Sequence, residues 1–131
     1  MKSTRMFGTL LMALVALATV LPPAVAAGAA ERRIVLKPAA KFPAAKGSAK
    51  FKSKGGEREL QVEVEHIRRL AGKRVVFFVA GVKLGSKTVS ALGAAEISRN
   101  SDLGQRVPNV VPGTAVKVRT AAGVLIVKGS F

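Results

Sequence analysis

His66 is the only histidine in a chain that has no cysteine and a single aspartate, Asp102. Beside it stand Glu65 and, two residues further back on the same strand face, Glu63. Paired carboxylates with an imidazole are a set that could move a proton, and imidazole titrates near neutrality, with an ordinary pKa of about 6.5. Acid–base or metal chemistry in this chain would therefore have to enlist His66. The inventory excludes more than it offers. A Cys/His zinc centre needs three or four such ligands, and a Ser-His-Asp triad needs an aspartate within reach of the one histidine. No glycine-rich loop follows a strand and opens a helix, so Gly81, Gly85 and Gly93 read as turn residues and not as a phosphate cradle. The expectation is a binding or structural module without catalysis, cofactor or metal. The alternative is a small enzyme or metal-binding protein centred on His66.

Positive charge is the feature that catalysis leaves unexplained. The chain carries 22 Lys and Arg against 7 Asp and Glu, a net charge of +15. Arg68, Arg69, Lys73 and Arg74 cluster around the loop after an acidic stretch and form the candidate polyanion patch. Lys83, Lys87, Arg99, Arg106, Lys117, Arg119 and Lys128 have no acidic neighbours in sequence. Such a field attracts polyanions. Specific nucleic-acid binding is not expected, because the chain has no Trp or Tyr and its Phe residues form no exposed strip for stacking bases. The expected partners are an anionic envelope polymer, lipid head groups or an acidic protein.

The first thirty residues set the compartment. Lys2 and Arg5 precede an apolar run from Phe7 to Leu21, and then come Pro22, Pro23 and small residues through Ala30. That is the order of a secretory signal peptide, with the cut expected after Ala26 and alternatives at Ala27 and Ala30. The apolar run is shorter than the roughly 20 residues that span a bilayer, so no transmembrane span is expected in the mature chain. The expected location is secreted or periplasmic. Removing residues 1–26 takes two basic residues and no acid, so the +15 of the whole falls to +13. What is left suits one domain, which must fold without disulfides because there is no cysteine. We divide it into a segment at 27–46 that contains a first strand and a sandwich domain at 47–131.

Those residues must be positioned by strands. Short β-branched and apolar runs recur between Gly, Pro, Ser and Asn, and no long 3.6-period stripe occurs. Strands are predicted at 33–37, 48–53, 58–65, 74–80, 82–84 continuing to 90, 94–98, 115–120 and 124–128. Seven or eight strands at this spacing predict an all-β, single-domain antiparallel sandwich or barrel. Val75 to Val79, apolar on both faces, should be a central strand. Val124 to Val127 should be another, closing the core against Phe131.

The stretch KFKSKGGEREL fixes a register. With Gly55-Gly56 as a two-residue turn, Phe51 faces Leu60 and Ala49 faces Val62 inward, while Lys52 faces Glu59 and Lys50 faces Gln61 outward. Opposite charges across strands contribute roughly 0.2–1 kcal/mol each, which gives the alternation a structural cause. Phe51, Leu60, Val62 and Val64 should be buried, and Lys50, Lys52, Glu59 and Glu63 exposed. A second hairpin is predicted at Ala80-Gly81, with Val79 opposite Val82 and Phe77 opposite Leu84, and with Gly85 marking a bulge or bend. Pro108 and Pro112 predict an irregular crossing between sheets.

The order GSAKFK, ELQVEVEHI, VVFFVAGVKLGS, ALGAAEI, VPNVVPGTAVKV and a closing GSF resembles a group of small secreted bacterial sandwich proteins of unknown function. More distantly it is similar to the CHRD type of domain, covering residues 47–131. The resemblance implies a Greek-key sandwich of the kind compared with copper/zinc superoxide dismutase. Where CHRD sequences commonly carry a His-x-His element, this chain reads Glu65-His66-Ile67-Arg68.

Overall fold

In a computed structural model, which describes residues 29–131, the described residues form an all-β fold. The expected signal peptide lies outside the described residues. Its alternative cut at Ala30 falls inside the first strand.

Eight strands follow one another: β1 (Ala29–Pro38), β2 (Lys46–Lys54), β3 (Glu57–Glu65), β4 (Arg74–Val79), β5 (Val82–Thr88), β6 (Ala95–Asn100), β7 (Ala115–Thr120) and β8 (Leu125–Ser130). Short 3-10 turns at Arg68–Leu70 and Ser101–Leu103 interrupt the connections after β3 and β6. All pairings are antiparallel, in the order β5-β4-β7-β8-β1-β2-β3-β6. One layer is β1-β2-β3-β6 and the other is β5-β4-β7-β8. They join where Lys37 and Pro38 of β1 pair with Lys128 and Val127 of β8.

The other seam, between β5 and β6, carries no strand pairing, yet it is bridged. Arg99 on β6 donates from Nη2 to the Leu84 carbonyl of β5 at 3.0 Å. With β5 and β6 counted as neighbours across that seam, β4, β5 and β6 run side by side and β7 returns to lie against β4, which is Greek-key order. The sheet is thus a nearly closed barrel, flattened into two layers.

Alternation explains which side of each strand is buried. Phe51, Leu60, Val62 and Val64 are buried as expected, joined by Val75, Phe77, Val79, Ile97, Val116, Val118, Ile126 and Val127. Phe131 packs against this core. Residues 29–46 belong to the same sheet and core, with Leu36, Phe42 and Ala45 buried. Leu36 has a place because its neighbours lack side chains: a Cβ on Gly47 would lie 3.0 Å from the Leu36 Cβ, and one on Gly129 would lie 2.8 Å from its Cδ2.

The first hairpin has the expected register throughout, including Phe51 with Leu60, Ala49 with Val62 and Lys52 with Glu59. Two details differ. Lys50 and Glu63 are half-buried, since each is flanked by strands on both sides. The facing charges also form no ion pair within 4 Å. Polar side chains of β3 bond instead toward β6, where Asn100 donates to Glu57 at 3.0 Å and Gln61 donates to Glu96.

The second hairpin also departs from expectation. Ala80 and Gly81 do form its turn, both at positive φ of 54 and 76, and Val79 pairs with Val82. Phe77, however, faces Gly85 and not Leu84, because the register shifts between Phe77 and Phe78. Leu84 is the extra residue of that bulge, and the Gly85 backbone leaves room for the Arg99 side chain, which a Cβ would approach to 2.7 Å.

Candidate functional site

His66 ends β3 at a positive φ of 61 and is exposed, with Nε2 3.9 Å from Glu65 Oε1. Among the described residues, no group of three or more His, Cys, Asp or Glu side chains gathers as metal ligands would. Glu63 and Glu65 share the outward face of β3, and Glu96 stands directly across from Glu63 on β6. Burial, with the negative charges of Glu65 and Glu96, pushes the Glu63 carboxyl above the usual carboxylate range. These two acids also wall a groove of about 750 Å³ beside Lys37, Lys46, Pro43 and Ala44.

The four residues of the candidate polyanion patch are all exposed, but they are not equivalent. Arg69 stacks its guanidinium 4.3 Å from the centre of the Phe42 ring and donates to the Lys41 carbonyl. It therefore holds the connection between β1 and β2 against the turn after β3, and part of its role is structural. Arg74 donates to Ser86 Oγ at 2.6 Å and belongs to the sheet, not to the loop. Arg68 and Lys73 form no side-chain hydrogen bond with the other described residues.

The topology assembles a larger cationic surface that the sequence cluster only touches. On β4, Val75, Phe77 and Val79 point inward, so Arg74, Val76 and Phe78 point out. The register then dictates their neighbours. Phe78 lies between Lys83 of β5 and Lys117 of β7; Lys117 lies beside Lys128 of β8, and Lys128 beside Lys37 of β1. One row of side chains thus crosses five strands as Lys83, Phe78, Lys117, Lys128 and Lys37. In the adjoining row Val76 lies between Ser86 and Arg119, and Arg119 lies beside Leu125. Arg119 keeps one bond, from Nη1 to the Gly123 carbonyl at 3.1 Å. A depression of about 310 Å³ opens among Phe78, Gly81, Ala115, Lys117 and Arg119.

No acid occurs anywhere on β4, β5, β7 or β8. The contrast with the opposite layer is sharp. There Lys46, Lys52 and Lys54 face Glu65, Glu59 and Glu57 across β2 and β3, and Glu31 of β1 pairs with Arg33 at 2.8 Å. That guanidinium holds the Glu31 carboxyl below its ordinary range, helped by Lys52 and Lys50. Among the described residues the ion pairs are Glu31 with Arg33 and Glu65 with His66, neither of them on β4, β5, β7 or β8.

Lys117 against Lys128, and Lys128 against Lys37, are like charges in directly opposed positions, which destabilise a sheet. Sequence reasoning found Lys117 and Lys128, but neither Lys37 nor the adjacency of the three. The signal was present, since no acid falls between Glu65 and Glu96 or after Asp102. Comparison of the chain with protein-family models, curated proteins and solved structures finds no match.

Proposed function

We propose that this protein is a non-catalytic binding module of the secreted or periplasmic space whose ligand is an anionic polymer or an anionic surface of the envelope. One observation carries the reading: the outer face of β5-β4-β7-β8 presents Arg74, Lys83, Lys117, Arg119 and Lys128 with no carboxylate of its own, and Lys37 of β1 stands beside Lys128, in a register that sets like charges side by side. Folding gains nothing from that arrangement, whereas a polyanion would relieve the repulsion and be drawn in by the combined field. The loop at Arg68 and Lys73 extends the same field toward one end, through Arg74. The signal-like first 26 residues support placing the ligand outside the cytoplasm, and the resemblance to small secreted sandwich proteins supports a module of this size.

A pull-down from envelope extract at low salt, eluted by a salt gradient, tests this. An anionic polymer or lipid should elute with salt from the wild-type protein, and it should be absent when Lys83, Lys117, Arg119 and Lys128 are changed to Gln. Equal recovery by both proteins would refute the reading.

The second reading, a small enzyme or metal-binding protein centred on His66, rests on the contact of His66 with Glu65 and on the groove that Glu65 walls together with Glu63. His66→Gln separates the two. The binding reading expects unchanged ligand retention and no change in the metal content of the purified protein. Loss of a stoichiometric metal, or of an activity with an inflection near pH 6 to 7, would establish the second reading instead.

A further inference from the structure

The row across the acid-free layer has a shape as well as a charge, and the shape selects among polyanions. Successive members of Lys83, Phe78, Lys117, Lys128 and Lys37 sit on successive strands, so the row runs unbroken for roughly 14 Å across the layer, three strand spacings of about 4.8 Å, and one step further onto β1 at the seam. A bilayer surface has no need of a line. Membrane-lying proteins add apolar side chains that enter the lipid, and on this face Phe78, Val76 and Leu125 are half-buried among their neighbours. Of the strongly exposed large apolar residues, Leu92 and Leu103 lie elsewhere, and only Val35 stands near the row, two residues from Lys37 on β1.

A single-stranded nucleic acid would want several rings to stack upon, and this face offers one. A bare inorganic polyphosphate would use the lysines and leave the ring idle. What uses the whole row is a chain with a charge at each short step and C–H surface between charges.

Resting on the binding reading above, we propose that the face binds a linear acidic polysaccharide, a polyuronate with one carboxylate per sugar, lying across the strands of the β5-β4-β7-β8 layer. A 1,4-linked pyranose advances its chain by about one strand spacing, and rotation about the glycosidic bonds lets carboxylates reach Lys83, Lys117, Lys128 and Lys37 in turn. The ring of Phe78 lies where the C–H face of a sugar would rest, beside the depression bounded by Gly81, Ala115 and Arg119. Arg119 and Arg74 each spend one N–H on the protein, on Gly123 and Ser86 respectively. Each keeps further donors for the polymer, since a guanidinium has five.

Oligogalacturonates of one, two, four and six sugars, titrated at low ionic strength against wild-type protein, provide the test, with inorganic polyphosphate and phosphatidylglycerol vesicles as competing probes. The affinity should rise at least tenfold from two sugars to six and exceed that for polyphosphate of matched charge. The triple variant Lys83→Gln, Lys117→Gln, Lys128→Gln should lose at least tenfold for the hexamer. Phe78→Leu should weaken the hexamer several-fold while leaving polyphosphate retention unchanged, and the wild-type length series does not depend on how well that variant folds. Tighter binding of polyphosphate or of vesicles, with no dependence on sugar number, would overturn the polysaccharide assignment while the cationic face stood. If the triple variant bound all three probes as the wild type does, the binding reading itself would fall.

Discussion

Glu63 is the residue whose environment works most plainly against its charge, with Glu65 two positions along its own strand and Glu96 directly across. Its carboxyl is raised by burial first and by those two charges second. The native state therefore holds the proton more tightly than the unfolded chain does. The stability tied to that proton is present below the ordinary carboxylate range and is lost as pH rises through the raised native value. Glu63→Gln should accordingly stabilise the protein at pH 7 by about 0.5 kcal/mol, a small figure because the site is largely solvated. Urea denaturation at pH 7 and pH 3 checks this, since the gain should vanish at the lower pH. Ala80 carries strain of another kind, holding a positive φ of 54 that glycine adopts freely. Ala80→Gly should raise stability by about 0.5–1 kcal/mol after the extra chain entropy of glycine is deducted, read as a higher melting temperature.

At the scale of elements, all eight strands were legible, because short alternating runs punctuated by glycine and proline have few other solutions. The hairpin register at Gly55-Gly56 was legible to the residue, since a one-residue slip would have turned Phe51, Leu60 and Val62 outward. The second hairpin was legible only as far as Val79 and Val82. A bulge adds one residue without changing composition, and Leu84, apolar like an inward residue, concealed it. Nor could a sequence show that Arg99 would reach across to Leu84 and bridge the seam between β5 and β6, since that contact depends on two Greek-key crossings.

The seating of Leu36 between Gly47 and Gly129 has the same long-range origin. Gly129→Ala should cost about 1–3 kcal/mol as an overpacked core. Pairing it with Leu36→Ala should recover part of that loss, because the two sites share one space. Additive losses in a double-mutant cycle would show that the close approach is not what the glycine provides.

Over the whole molecule, charge is segregated by layer. Acids sit on β1, β3 and β6 or in the turn after β6, while β4, β5, β7 and β8 carry cations alone. Composition announced the excess and sequence clustering pointed to Arg68, Arg69, Lys73 and Arg74, but neither could align Lys37 with Lys128 and Lys117, residues brought together only by the sheet order. The candidate site was thus half legible: its residue types were visible, and its location was not. Within the sequence cluster, Arg69 is engaged with Phe42 and Lys41.

The most direct test of this account is the salt dependence of binding to one linear polyanion, dextran sulfate, compared between two variants of equal net charge. In one, Lys37, Lys83, Lys117 and Lys128 become Gln; in the other, Lys46, Lys50, Lys52 and Lys54 become Gln. Each neutralised contact contributes roughly 0.7–0.9 to the slope of log affinity against log salt. The first variant should therefore lose about three units of slope and at least tenfold in affinity, while the second keeps the slope of the wild type. Equal losses in the two would contradict the account, since binding would then follow total charge and not the acid-free face.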